Sequence, residues 1–213
     1  KRTYGTECLN NENIKGYNLP LGATNIMTTG KEYDNIYPVW DWTRIPGTTA
    51  IGNQDKTSLE GYQIGNNEFG GGVSDGVNGI IAYKGKYNEL QANKAYFFFD
   101  SMMFCIGSDI SYVQNDNVLT SVEQNLLNGE VIYNDGQEKQ LPSNSNMQLK
   151  QLKWVYHNNT GYIFRGTDNV TIQNMSQAGS WKDINATGES GLIDKNVFSV
   201  WINHGLIPEN ASY

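Results

Sequence analysis

Histidine and cysteine are almost missing from this sequence, with two of each in 213 residues. They are His157, His204, Cys8 and Cys105, scattered along the chain, so no His/Cys metal cluster can be assembled from their spacing. Nothing in that spacing calls for a disulfide, and two buried free thiols are expected. Proline is scarce, with five residues. Basic residues are outnumbered, 15 Lys and Arg against 22 Asp and Glu, for a formal net charge of −7. A phosphate backbone demands a basic surface, so nucleic acid is not expected as a partner. The same balance speaks against tight binding of any polyanion by this chain alone. No apolar run approaches the roughly 18 residues of a membrane span. No charged-then-apolar signal segment opens the chain either. Neither a membrane nor a cofactor is expected. The chain opens on Lys1-Arg2-Thr3-Tyr4, as a piece cut from something longer would.

What is present is globular. Hydrophobic residues make up 38%, enough for a full core at this length. Short apolar or alternating runs are separated by turn residues. Gly79–Tyr83 precedes Lys84-Gly85-Lys86; Lys94–Phe99 leads into Met102–Gly107. Val118–Leu127 ends at Asn128-Gly129, a hairpin dipeptide, before Glu130–Tyr133 and the turn Asn134-Asp135-Gly136. Lys153–Tyr156 meets His157–Gly161, then Tyr162-Ile163-Phe164; Val197–Ile202 is a last clear strand. Only residues 86–92 have a composition that suits a helical turn. Antiparallel strands without helices must bury one face of each sheet against another, so an all-β fold is expected, a large antiparallel multi-sheet β-sandwich.

Two regions do not read as ordinary strands. One is Thr6 to Asn25, T-E-C-L-N-N-E-N-I-K-G-Y-N-L-P-L-G-A-T-N. The other is Tyr37 to Ala50, Y-P-V-W-D-W-T-R-I-P-G-T-T-A, followed at 69–76 by F-G-G-G-V-S-D-G. Trp40 and Trp42 alternate, which on an extended segment points them to opposite faces. Asp41 and Arg44 are expected to pair and pin the loop, and Pro46-Gly47 to turn the chain out of it. Such irregular segments on a rigid sheet scaffold are where sites tend to sit. Glu12 and Asn13 read as turn or strand-end residues. His157 and His204 read as turn histidines. Asp75 and Asp109 match no defined calcium loop. The Asn-x-Ser/Thr sequons at Asn158, Asn169, Asn174, Asn185 and Asn210 fit any exposed, Asn-rich β protein.

Together these stretches resemble the central β domain of the family-eight polysaccharide lyases, the family of chondroitin AC, hyaluronate and xanthan lyases. The residues that carry the resemblance are Thr6-Glu7 with Asn10, Glu12-Asn13 with Gly16, and Gly22-Ala23-Thr24. They continue through Tyr37-Pro38-Val39-Trp40-Asp41-Trp42, Pro46-Gly47-Thr48-Thr49 and Gly71–Gly76. The run from Lys94, Trp154 with His157, and Trp201–Gly205 with Pro208 complete it. The W-D-W-x-R-x-P-G-T-T string is the specific part, because no generic turn or strand rule generates it. Within the family the resemblance is nearer to the chondroitin AC lyases than to the xanthan lyases.

The resemblance implies a supersandwich, with residues 1–213 forming one such domain of a larger lyase. It implies that an N-terminal helical α/α toroid and a C-terminal β domain belong to the same protein but lie outside this chain. It implies cleavage of an acidic, uronic-acid-containing polysaccharide by β-elimination, outside the cell or in the periplasm. Most catalytic residues of the family stand on the toroid. The glutamate of a T-E-x-x-N pattern comes from the β domain, and here it matches Glu7, implied to hold toroid side chains in place rather than to act as the base. Asn10 is implied as a sugar contact. Cys8-Leu9 stands between them, where the pattern has small residues such as Ser-Gly. The competing expectation is a non-catalytic carbohydrate-binding or scaffold β-sandwich.

Overall fold

The computed structural model describes residues 5–52, 62–64, 67, 69–87, 89–167 and 169–213; the opening residues 1–4 lie outside them. Among the described residues fifteen strands follow in chain order. β1 (Gly5–Glu7), β2 (Thr49–Ile51) and β3 (Tyr62–Ile64) are short; β4 (Phe69–Ser74), β5 (Gly79–Tyr87), β6 (Leu90–Phe99) and β7 (Met102–Ser111) form a meander. Then come β8 (Asn117–Leu126), β9 (Ile132–Asn134), β10 (Glu138–Gln140), β11 (Ser145–Leu149), β12 (Trp154–His157), β13 (Thr160–Ile163), β14 (Val170–Gly179) and β15 (Ile193–Leu206). Among the described residues the only helical pieces are 3-10 turns at Gly16–Leu21, Tyr37–Val39 and Trp181–Asp183.

The strands make four sheets, every pairing antiparallel: β1-β3, β4-β5-β6-β7, β10-β9-β12-β13 and β11-β14-β15-β8-β2. The five-stranded sheet is the centre. On one face Val170, Ile172, Phe198, Val200 and Ile202 pack against Val131, Tyr133, Leu141, Leu152, Val155 and Tyr162 around the β9–β13 sheet. Each such apolar side chain removed from water contributes about 1.5–3 kcal/mol before the ordering entropy is charged against it. On the other face Val197 meets Tyr33, Ile36, Val39, Trp40 and Ile45. A third cluster, Ile51, Leu90, Ala92, Ile110, Tyr112 and Val118, joins β2 and β8 to the β4–β7 sheet. Residues 208–213 run beside β7, with Ala211 exchanging backbone hydrogen bonds with Ile110, and Tyr213 with Gly107.

The expected multi-sheet antiparallel β architecture is what forms, with several local corrections. Residues 86–92 are not helical: residue 88 aside, Lys86 and Tyr87 end β5 and Leu90–Ala92 begin β6, with Tyr87 opposite Leu90. Burial of Tyr87 and Leu90 outweighs a helix-friendly composition. Phe69–Ser74 is a strand after all, at the edge of its sheet. Asn128-Gly129 does not close a hairpin between paired strands, because β8 joins the central sheet and β9 a different one. Cys8 is buried but Cys105 is exposed, and the two do not form a disulfide. Both histidines lie on strands, at the end of β12 and within β15.

The Tyr37–Ala50 segment forms a rigid corner. Trp40 and Trp42 do not face apart: leaving the Tyr37–Val39 turn, their rings meet edge-on at 5.6 Å, and both rest on Tyr37. Trp40 Nε1 donates to the Gln124 carbonyl at 3.1 Å and Trp42 Nε1 to that of Tyr37 at 3.1 Å. The expected pair forms, Arg44 to Asp41 at 2.7 Å, and the guanidinium also lies 4.1 Å over the Trp201 ring. Gly47 turns the chain with φ +81°, and a Cβ there would strike the backbone of Gly22 and Thr24. Its carbonyl accepts from the fully buried Lys94 ammonium and from the Tyr96 hydroxyl. Burial lowers the Lys94 pKa to about 7. Thr24 N–H donates to the Pro46 carbonyl at 2.9 Å. The two irregular regions of the sequence therefore close on each other.

Candidate functional site

The site begins where β1 ends. Glu7 is the last residue of that strand, opposite Tyr62 of β3, and its side chain is exposed. Cys8, fully buried, roots the chain immediately after it. Leu9 then takes φ 58°, a left-handed conformation costly for a leucine. This is the position where a glycine would suit the backbone, and the leucine adopts the same turn. The turn brings Asn10 back onto Glu7: Asn10 Nδ2 donates to Glu7 Oε1 at 2.9 Å. The two residues singled out from the sequence thus form one unit.

Asparagine side chains hold that unit. Asn10 Oδ1 accepts the backbone N–H of Glu12 at 3.0 Å and of Asn13 at 2.8 Å. Asn13 Nδ2 donates to the Glu7 carbonyl at 2.7 Å, and Asn13 Oδ1 accepts the Gly16 N–H at 2.8 Å. A Cβ on Gly16 would fall on the Asn13 amide, so close approach fixes glycine there. These local side-chain bonds replace a sheet ladder that the segment lacks. A second loop clamps it from outside: Ile14 N–H donates to the Ile184 carbonyl at 3.1 Å and Ala186 N–H to that of Asn11 at 2.7 Å. That loop opens with Ser180, whose N–H and hydroxyl both bond Asp183 Oδ2, and these bonds hold the Asp183 carboxyl below its ordinary range.

Glu7 keeps one carboxylate oxygen on Asn10, while the other accepts no hydrogen bond among the described residues. An exposed, anchored carboxylate beside a carboxamide can orient a cation or a hydroxyl presented from outside. Glu12 contributes its backbone to the loop and points its side chain to solvent. Asn13 is the residue that sequence reading undervalued, although the three-residue spacing Asn10, Asn13, Gly16 carried the signal.

The histidines are not part of this loop. His157 is buried, stacks on Phe198 at 4.4 Å and accepts the Asn128 N–H at Nε2. Burial lowers its pKa to about 4, so it is neutral near pH 7. His204 Nε2 shares a 2.8 Å hydrogen bond with Thr120 Oγ1; burial, then Lys94, lower its pKa to about 4. Asp75 turns its carboxylate onto Val77 and Asn78, and Asp109 onto Asn93 and Ser108. Among the described residues no group of three His, Cys, Asp or Glu side chains is placed to hold a metal ion.

Comparison with known proteins agrees with the fold. The family model for the super-sandwich domain of polysaccharide lyase family 8 matches residues 1–213. Chondroitinase-AC of Pedobacter heparinus is 42% identical over 216 residues, covering 100% of this chain and 31% of that protein. Xanthan lyase of a Bacillus species is 29% identical over 221 residues, covering 97% of this chain and 24% of that protein. A solved chondroitinase AC lyase, studied in complex with oligosaccharides, superimposes with a TM-score of 0.87 at 40% identity, over 96% of this chain and 30% of that one. The chain spans about a third or less of the length of the relatives it matches.

Proposed function

The chain belongs to polysaccharide lyase family 8, and from that premise we propose that it is the β domain of a lyase cleaving uronic-acid-containing polysaccharides of the chondroitin sulfate or hyaluronan type. The greater likeness to a chondroitinase-AC than to a xanthan lyase supports that substrate class. The reaction is β-elimination. A base removes the proton at C5 of the uronic acid, and an acid protonates the oxygen leaving from C4. The C5 proton is acidic enough only when the neighbouring carboxylate is neutralised by hydrogen bonds, so that the developing enolate is stabilised.

In this reading the base and acid come from a helical domain outside the chain. Glu7 fixes cationic or hydroxyl groups of that domain, and Asn10 contacts sugar. The observation that carries it is the Glu7–Asn10 pair: an exposed carboxylate held at one oxygen, while the other accepts no hydrogen bond among the described residues. A carboxylate beside a guanidinium stays ionised and sets its geometry. The histidines support the division of labour: His157 is buried, His204 is half-buried and bonded to Thr120, and burial lowers the pKa of both.

A domain partner also accounts for the outward face of the β4–β7 sheet. Val73, Ile80, Phe97 and Phe104 form one cross-strand row, and Val73, Ile80 and Phe104 are exposed. A stand-alone sugar-binding module would present aromatic rings among hydrogen-bonding groups. This row has no polar member, which favours a packing surface covered by the rest of the polypeptide. A polymeric substrate of this kind supports a location outside the cell or in the periplasm.

The test is an absorbance assay for the unsaturated uronate product, with the intact protein acting on chondroitin sulfate and on hyaluronan. Product from at least one polymer, with kcat reduced about 100-fold by Glu7→Ala, is expected. Failure to act on any uronate polymer overturns the activity. Full activity of Glu7→Ala overturns the site.

A further inference from the structure

We propose that Asn13 is a positioning residue of the lyase site, fixing Glu7 relative to Asn10 without touching substrate. The inference rests on the site reading of Glu7 given above. The Asn13 side chain grips both ends of the loop. Its Nδ2 donates to the main-chain carbonyl of Glu7 at 2.7 Å, and its Oδ1 accepts from Gly16 N–H at 2.8 Å. Its own N–H meanwhile donates to Asn10 Oδ1 at 2.8 Å. The Asn10 amide has two jobs: its oxygen is taken by Glu12 and Asn13, and its nitrogen is aimed at Glu7 Oε1. Loss of the Asn13 amide frees the Glu7 carbonyl and the Gly16 N–H together. Within the segment Asn10 is then the side chain left to hold the Leu9 turn, since the Ile14–Ile184 and Asn11–Ala186 backbone bonds clamp only the part beyond it.

The geometry also explains Gly16. The Asn13 amide occupies the space where a Cβ on residue 16 would be, so any larger residue at 16 must displace that amide. Gly16→Ala is therefore a way to move Asn13 without changing it. Misplacing an orienting group by about 1 Å can cost on the order of 100-fold in rate while leaving the fold intact.

The experiment measures kcat and KM of the intact lyase on chondroitin sulfate for Glu7→Ala, Asn13→Ala, their double variant and Gly16→Ala, with Tm recorded for each. Glu138→Ala, an exposed side chain of β10 on a different sheet from the loop, is the control at full activity. Asn13→Ala is expected to lower kcat by about 10-fold or more with little change in KM, and Gly16→Ala to do the same. In the Glu7→Ala background the Asn13 change should cost less than about 2-fold, because it acts through Glu7. Asn13→Asp keeps the acceptor for Gly16 and loses the donor to Glu7, so it should fall between wild type and Asn13→Ala. Full activity of Asn13→Ala alongside a weak Glu7→Ala overturns this inference alone. So does an Asn13 effect that multiplies undiminished on Glu7→Ala. Full activity of Glu7→Ala overturns the site reading itself, and with it any role for Asn13 exerted through Glu7.

Discussion

Tyr33 donates its hydroxyl to the carboxylate of Glu123 at 2.6 Å, joining the loop before the Tyr37–Val39 turn to the middle of the central sheet. Glu123 is almost wholly buried. Its other oxygen accepts the Tyr162 hydroxyl at 3.1 Å, and the Gln124 N–H adds a third donor at 3.0 Å. Nearby Glu32 is a contrasting carboxylate. Burial acts to raise it, but hydrogen bonds from Thr29 and Thr28 prevail and hold it below its ordinary range.

Glu123 should make stability depend on pH. Burial pushes its carboxyl up to about 7 from an ordinary 4.5, against the three donors. Between those values the folded chain holds a proton that the unfolded chain has lost. The stabilising contribution is complete below about 4.5 and disappears as pH rises through 7. The lowered histidines act in the opposite sense, so the comparison must be with a variant rather than with wild type alone. Glu123→Gln stays neutral throughout. Its unfolding free energy relative to wild type should rise by about 2–3 kcal/mol from pH 4.5 to pH 8. Denaturant melts of both proteins across that range measure it, and parallel curves would show an ordinary carboxylate.

Leu9 offers a test of backbone strain beside the site. A left-handed φ costs an L-residue about 1–2 kcal/mol, and a β-branched residue more. Leu9→Gly removes that cost but adds freedom to the unfolded chain and gives up a half-buried side chain, so it should change stability by less than about 1 kcal/mol. Leu9→Val keeps an apolar side chain yet should cost about 2 kcal/mol. Thermal melts that rank valine above glycine would mean that Leu9 is held for its packing and not endured for its backbone.

Glu7 and Asn10 were singled out by the family resemblance, through its T-E-x-x-N pattern, and their hydrogen bond to each other appears only in the structure. The strands were legible because alternation is local. Sheet membership was not: nothing in Val118–Leu127 or Glu130–Tyr133 says that Asn128-Gly129 separates two sheets instead of closing one. Glu123 reads as a solvent-facing acid in an alternating strand. Only the fold reveals the tyrosine donors, which come from Tyr33 and Tyr162, far away in the chain. Trp40 and Trp42 misled because alternation assigns faces only to an extended chain, and a 3-10 turn precedes them.

The apolar face of the β4–β7 sheet gives a prediction for the 213-residue chain by itself. Phe104 and Ile106 alternate onto that face from β7, and they are 53% and 48% exposed. Met102 and Phe99 extend the same surface to the sheet's end, and Phe69 and Val73 continue it on β4. Four strands at sheet spacing make this a patch on the order of 300 Å², a size at which apolar patches are often functional contact surfaces. The chain alone should therefore self-associate as concentration rises and enhance the fluorescence of an apolar dye. Phe104→Lys with Ile106→Lys should abolish both effects while changing Tm little, since neither side chain is in the core. In the intact protein the wild-type face should bind no dye, and the same double variant should weaken packing against the rest of the polypeptide and lower Tm by several degrees. A wild-type chain that stays monomeric and binds no dye would show that the face needs no cover.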